Sequence, residues 1–257
     1  AAGGQVLILD WDHEGDSLAI LQHGNSAVLI WDSITRKTTT VETNAKDLSW
    51  IRWSNGPDLA IGTGKGNLII YNKRTNRLNT LLGKHSKKIV AGGWTRDHLL
   101  VLIAEDRTLS VSSSNGDLIK QEVLPGDPTG LLLPEPGGSR AGSGGVASVR
   151  IGNRSIVNIS LTEAVPPRTF NFGVKYGEMV THKWLRDEFM LVAFASGHLV
   201  CIAAREPAPE GADFKEIFSI QLFKTRIADL AVCQSMRRAA AANEGLVKMV
   251  RRGSRPR

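Results

Sequence analysis

The stretch AIGTGKGNLIIYN, residues 60–72, sets Gly62, Gly64, Lys65 and Gly66 between two apolar runs. Glycines with a lysine can cradle phosphate when their backbone N–H groups converge at the mouth of a helix. That chemistry needs Lys followed by Ser or Thr, or the full dinucleotide spacing, whereas Lys65 is followed by Gly66. The residues beyond, Asn67, Leu68, Ile69, Ile70 and Tyr71, are β-branched and aromatic and predict a strand. The glycines are therefore expected to form a hairpin turn, where Gly permits positive φ and no ligand is needed.

The other reactive residue types do not assemble into a site. AGSGG at residues 141–145 approximates a nucleophile elbow, but Ser143 is flanked by Gly/Pro loop rather than by a strand and a helix. His13, His23, His85, His98, His182 and His198 include no H-E-x-x-H and are expected in turns or in structural hydrogen bonds. Cys201 and Cys233 form no C-x-x-C pair and read as two small core residues in a reducing compartment. Asn153 and Asn158 open glycosylation sequons, expected to be coincidental because no signal peptide is visible. No catalytic, cofactor-binding or metal-ligating residue is assigned, and no cofactor is expected.

The bulk properties agree with a folded β domain. The 257 residues are 42% apolar, enough for a substantial core, and all-β domains of this size often fold as one. The formal charge of +7 suggests nucleic acid, but seven of the Lys and Arg fall in residues 236–257 beside a single acid, Glu244. The remainder is nearly neutral, so the basicity belongs to the tail. No apolar run approaches the about 18 residues needed to span a bilayer, and residues 6–9 are too short for a signal-peptide core. The chain begins without Met, as a fragment or a processed form would.

The glycine turn is one of a series, and a fixed period changes the fold that is expected. LAILQHGNSAVLIWDSITRKT from Leu18, LAIGTGKGNLIIYNKRTNRLN from Leu59 and LVLIAEDRTLSVSSSNGDLIK from Leu100 share a strand, turn, strand, turn pattern. Trp31, Tyr71 and Ser112 recur at spacings of 40 and 41; Trp11, Trp53 and Trp94 recur at 42 and 41, with Trp184 a further 90 on. FMLVAFASGHLVCIA from Phe189 repeats the pattern, and AAAANEGLVKMV echoes it last, although the segment from Thr225 also has the Ala content of a helix. A period near 40 with several strands predicts an all-β, WD40-type β-propeller with units starting near Val6, Leu48, Ile89, Leu131, Val180 and Ile227. The expected domain covers residues 1–250, with loop insertions near 134–145 and 206–213 and a basic tail at 251–257. About six units, the last ending after its third strand, imply an incomplete ring with uncovered edges and poor behaviour in isolation.

Within that frame Trp11, Trp31, Trp53, Trp94 and Trp184 are expected as wedges between sheets, with Tyr71 at the position of Trp31. The polar tetrad of WD blades is only partly written: Trp31 and Asp32 spell the signature. His85 and Asp106 sit at suitable positions, but Ala104 and Ser112 replace the hydroxyl and the Trp.

These segments resemble the N-terminal WD-repeat region of the WD repeat-containing protein 19 family, subunits of intraflagellar transport complex A. The resemblance is carried by Asp10, Trp11 and Asp12 with residues 15–19; by Ile30, Trp31 and Asp32; and by Gly62, Thr63, residues 65–68, 70–72 and 82–85. Gly116, Asp117, residues 196–198 and 216–218 extend it over residues 6–250. It implies a further blade before the first unit, and a second propeller and helical repeats beyond; the arginine-rich end fits no blade. It also implies a non-enzymatic scaffold at the cilium or flagellum and basal body, on the cytoplasmic side and near a membrane surface. Such a scaffold would bind other complex subunits and cargo or adaptors, act in retrograde transport and bind no nucleic acid. Two rivals remain at this level: a propeller binding nucleic acid or anionic lipid through residues 251–257, and a propeller-type hydrolase.

Overall fold

Alternation of side chains along a strand decides how these sheets pack. The computed structural model describes residues 4–133, 145–185, 188–233, 235–236 and 238–251, which form 23 strands and one short 3-10 turn at Val174–Tyr176. The Ser143 motif, most of the 134–145 insertion, and residues 252–257 of the tail lie outside the described residues. The chain divides into two compact units, residues 1–133 and 134–257.

The first unit holds three antiparallel sheets of four strands, each in sequence order. The first comprises β1 (Val6–Trp11), β2 (Ser17–Gln22), β3 (Ala27–Asp32) and β4 (Thr38–Glu42). The second comprises β5 (Leu48–Trp53), β6 (Asp58–Thr63), β7 (Leu68–Asn72) and β8 (Arg77–Leu81). The third comprises β9 (Ile89–Trp94), β10 (Leu100–Ala104), β11 (Thr108–Ser112) and β12 (Leu118–Val123); β13 (Pro128–Leu132) lies against β9.

Both faces of the second sheet are buried, which explains why its middle strands are apolar throughout rather than alternating. Ile51, Trp53, Leu59, Ile61, Ile69 and Tyr71 join Ala19, Leu21, Val28, Ile30 and Val41 of the first sheet in one core. The intervening residues, Trp50, Ala60, Leu68 and Ile70, join Ile89, Leu100 and Leu102 of the third sheet in another. The one-residue shift in the β5–β6 register between Leu48 and Trp50 helps turn Trp50 towards the third sheet. Gly92 of β9 makes room for it, since a Cβ there would stand 2.9 Å from the indole and 2.6 Å from Leu102.

In the second unit β14 (Val146–Ile151), β15 (Ser155–Ser160) and β16 (Arg168–Asn171) pair in order. Then follow β17 (Met179–Leu185), β18 (Phe189–Phe194), β19 (His198–Ala203) and β20 (Lys215–Gln221), and finally β21 (Asp229–Cys233), β22 (Arg238–Ala242) and β23 (Val247–Arg251). The same two-sided logic recurs. Met190, Val192, Phe194, Val200 and Ile202 pack with Ile156, Phe170 and Phe172, while Leu191, Ala193, Leu199 and Cys201 pack with Leu230, Ala239 and Ala241.

Three sequence expectations meet their outcome here. The Ala-rich segment forms strands, with Leu230 pairing Ala241 and Ala240 pairing Met249, because Ala239 and Ala241 seat against the preceding sheet. Residues 206–213 run as a largely exposed loop between β19 and β20. The GTGKG segment is a hairpin between β6 and β7: Gly66 has φ 80° and donates its N–H to the Thr63 carbonyl at 3.1 Å. A Cβ at Gly66 would collide with the His85 main chain lying over the turn, so no room for a phosphate exists on that side.

This packing sets unequal costs for similar substitutions. Gly66→Ala combines positive φ with a backbone collision and is expected to destabilise the domain well beyond Gly24→Ala, which has φ 70° and open space around it and should cost about 1 kcal/mol. Trp50→Ala should cost about 3–5 kcal/mol. Urea unfolding of the three variants measures the order; equal losses for the two glycine variants would contradict the covered-turn geometry.

Candidate functional site

The residues singled out from sequence form local networks, not a single pocket. His85 (5% exposed) stands in the link between β8 and β9, its ring held by hydroxyls of β11. Nδ1 lies 2.9 Å from Thr108 Oγ1 and 3.4 Å from Asp106, and Nε2 lies 2.8 Å from Ser110 Oγ. Thr108 donates its hydroxyl to Asp106 at 2.7 Å, which leaves its oxygen to accept from Nδ1–H, so Nε2 accepts from the Ser110 hydroxyl. One neutral tautomer satisfies the whole chain. Burial pushes the His85 pKa below its ordinary value, outweighing the nearby Asp106 carboxylate. Burial would raise Asp106, but bonds from Thr108 and the Ser86 N–H hold it below the usual carboxylate range. The hydroxyls doing this are Thr108 and Ser110, not the positions of Ala104 and Ser112 read from the sequence. The sequence pattern points to the second strand for the hydroxyl, whereas Thr108 and Ser110 alternate on one face of the third, just after Asp106.

The tryptophans divide by environment. Trp53 is buried, its backbone N–H donating to Asp10 Oδ2 at 2.6 Å, and its indole N–H has no hydrogen-bond partner among the described residues. Trp94 is half-buried and donates Nε1–H to the Arg52 carbonyl at 3.2 Å. Trp184 is half-buried against the Phe194 cluster. Trp11 is 48% exposed and meets Trp31 edge-on, centroids 6.0 Å apart, so it is not enclosed between two sheets. Trp50 is enclosed as fully as Trp53, on the opposite face of the second sheet, and lies outside the 41–42 residue series. Asp32 accepts from the Thr35 N–H at 2.6 Å and hydroxyl at 2.8 Å, capping a turn, and Tyr71 donates its hydroxyl to Asn76 Oδ1 at 3.0 Å.

Polar side chains also close the inner edges of neighbouring sheets. Asp10 of β1, raised in pKa by burial, accepts from Trp53 of β5 and pairs with Arg52 at 3.1 Å. Ser49 donates to the Ile89 carbonyl at 2.8 Å. Asp12, 5% exposed, accepts from the Asp16 and Ser17 N–H groups and from Lys73, which also meets Glu14 at 2.7 Å. Burial alone would raise Asp12; Lys73 and the two amides outweigh it and lower its pKa.

Among the described residues no group of three or more His, Cys, Asp or Glu is arranged to hold a metal ion. No helix among them is long and apolar enough to cross a membrane. Cys201 is buried in β19, whereas Cys233, expected from the sequence as a second core residue, is exposed because it ends β21 beyond the buried Leu230. Asn158 is buried in β15, accepting from Ser148 Oγ at 2.8 Å, so its sequon is sterically closed; Asn153 is exposed.

A family model described as WDR19 first beta-propeller matches residues 1–254. The chain belongs to that family. WD repeat-containing protein 19 of Homo sapiens is 32% identical over 250 residues, covering 96% of this chain and 18% of that protein. The WD repeat-containing protein dyf-2 of Caenorhabditis elegans is 28% identical over 251 residues, with 96% and 18% covered. The chain thus spans about 18% of the length of the curated relatives it matches. A solved chain from the crystal structure of the mitotic checkpoint complex aligns with TM-score 0.66 at 17% identity, over 97% of this chain and 75% of that one, which bears on the fold alone. As a WDR19-type first propeller, the chain has the all-β, WD40-type fold.

The buried histidines give this propeller a defined acid sensitivity. His182 of β17 is 6% exposed; burial, Arg150 and Lys183 push its pKa down to about 3, a bond with the Ser148 main chain working the other way. Its folded value lies below the unfolded value of about 6.5, so the unfolded chain takes up the proton first. Stability from His182 is complete above about pH 6.5 and falls by up to about 1.4 kcal/mol per unit as pH drops towards about 3, and His85 acts in the same direction. Denaturant midpoints between about pH 4.5 and 6.5, above the range of the lowered carboxylates, should show this slope. His182→Phe should flatten it; an unchanged slope would assign the effect elsewhere.

Proposed function

We propose that the chain is a non-enzymatic protein-interaction propeller, one module of an intraflagellar transport complex A subunit acting in retrograde transport and ciliary membrane-protein trafficking. The observation that carries this reading is the family match over residues 1–254. The architecture supports it: sheet faces are consumed in blade-to-blade packing, and His85, Asp106, Asp12 and Lys73 tie loops and blades together, leaving rims and outer strands to meet partners. Its partners are other subunits of the complex and ciliary cargo or adaptor proteins, at the cilium or flagellum and basal body on the cytoplasmic side, close to a membrane surface. Trp31, Tyr71, Trp53, Trp94 and Trp184 serve blade packing in this reading, and residues 1–250 act as one interaction module.

Affinity capture of the full-length protein from ciliated cells, read by mass spectrometry, should recover transport-complex subunits, and deletion of residues 1–250 should reduce that recovery. Capture free of such subunits would overturn the ciliary assignment.

A further inference from the structure

In an antiparallel sheet taken in sequence order, the hairpin between the second and third strands and the link to the next sheet lie at the same end. In the first unit this end is a continuous platform. The Gly64 N–H donates to the Asp47 carbonyl at 2.7 Å, joining the β4–β5 link to the β6–β7 hairpin. The His85 N–H donates to the Gly66 carbonyl at 3.1 Å, and the Gly83 N–H to Asn67 Oδ1 at 3.2 Å, joining that hairpin to the β8–β9 link. The Glu105 N–H donates to the Lys88 carbonyl at 2.9 Å and carries the platform to the third sheet.

Four lysines, Lys46, Lys65, Lys87 and Lys88, stand exposed on these hydrogen-bonded loops, and none has an ion pair among the described residues. Of the other charges at this end, Lys84 bonds the Gly116 carbonyl, Arg107 pairs with Asp127 at 2.7 Å, and Asp106 holds Ser86 and Thr108, while Glu42 at the end of β4 is exposed. Two exposed carboxylates, Asp47 and Glu105, lie among the lysines, and Leu82 projects beside them, 76% exposed. Because the loops are pinned to one another, the cations are presented with little backbone entropy left to lose on binding.

We propose that this rim of the first unit, Lys46, Lys65, Lys87 and Lys88 with Leu82, is a docking surface for an acidic polypeptide segment carrying an apolar anchor. A linear peptide can lay its carboxylates against the lysines and pass Asp47 and Glu105, whereas a flat anionic membrane would press its charge onto those two carboxylates. The apolar anchor follows from Leu82, which has no core to enter. The inference rests on the interaction-scaffold reading and names one partner class for it.

The test uses the full-length protein and a short labelled Glu/Asp-rich peptide with one central Leu, followed by fluorescence anisotropy at low and raised salt. Binding should weaken with salt, weaken when the Leu is replaced by Ser, and fall by about tenfold or more in the Lys65→Glu, Lys87→Glu, Lys88→Glu triple variant. Arg36→Glu with Lys37→Glu, at the opposite end of the first sheet, should leave it unchanged. If the triple variant melts at a lower temperature, the Lys→Gln triple variant replaces it. Peptide affinity equal in wild type and triple variant overturns the proposal. So does sedimentation with phosphatidylserine vesicles that the triple variant loses while no peptide binds, which assigns the rim to a membrane. Loss of peptide binding together with intact capture of complex subunits would sustain both readings, and capture lost with peptide binding intact would sink only the scaffold assignment.

Discussion

The structure depends on burying both faces of its middle sheets. A strand offers alternate residues to opposite sides, and in the second sheet those sides belong to different cores: Leu59 and Ile61 to one, Ala60 to the other. In the second unit Val192 and Ala193 divide in the same way. A sheet so committed cannot open a cavity on either face without losing contacts with a neighbour, and a lost large side chain there costs several kcal/mol, about 2–5 by analogy with other cores. Loops and outer strands are thereby left as surfaces that packing does not consume.

Stacking sheets by their faces leaves the first strand of each with an inner edge, and an unpaired edge exposes backbone donors and acceptors. Side chains of neighbouring sheets answer this in the first unit. Asp10 takes the Trp53 N–H, Trp94 gives its indole N–H to the Arg52 carbonyl, and Ser49 gives its hydroxyl to the Ile89 carbonyl. In the second unit Arg150 reaches the Val180 carbonyl at 2.6 Å. The chemical identity of the side chain varies from junction to junction while the task is constant. That is why only fragments of a repeated polar signature are visible in the sequence.

What was legible followed from period and phase. Strand starts at Val6, Leu48 and Ile89 coincide with the units read from spacing, and the all-β fold follows from apolar runs separated by turns. What was not legible depends on facing rather than on residue type. Trp11 and Trp50 look alike in a sequence, yet one stands 48% exposed and the other 6%, because a register shift and the missing side chain of Gly92 give only Trp50 a slot. Thr108 and Ser110 became partners of His85 through the fold of the link that carries the histidine, which spacing along the chain does not encode. The Ala-rich run was ambiguous for a related reason: propensity favours helix, and packing against Leu191, Ala193 and Leu199 overrides it.

The turn that looked like a phosphate loop shows how conformation and chemistry separate. The hairpin slot of Gly66 recurs in the third sheet as Arg107, with φ 61°, and in the second unit as Gly197, with φ 81°. Each donates its N–H back to the residue three before it and accepts a backbone N–H from the link that leads onward. Gly66 and Gly197 lie beneath backbone that a Cβ would strike, whereas Arg107 carries a side chain in the same slot, its guanidinium paired with Asp127. The glycines therefore answer to a close approach of chain to chain. Lys65, one residue before Gly66, has no such constraint, and its freedom at the rim is what leaves it available to a partner.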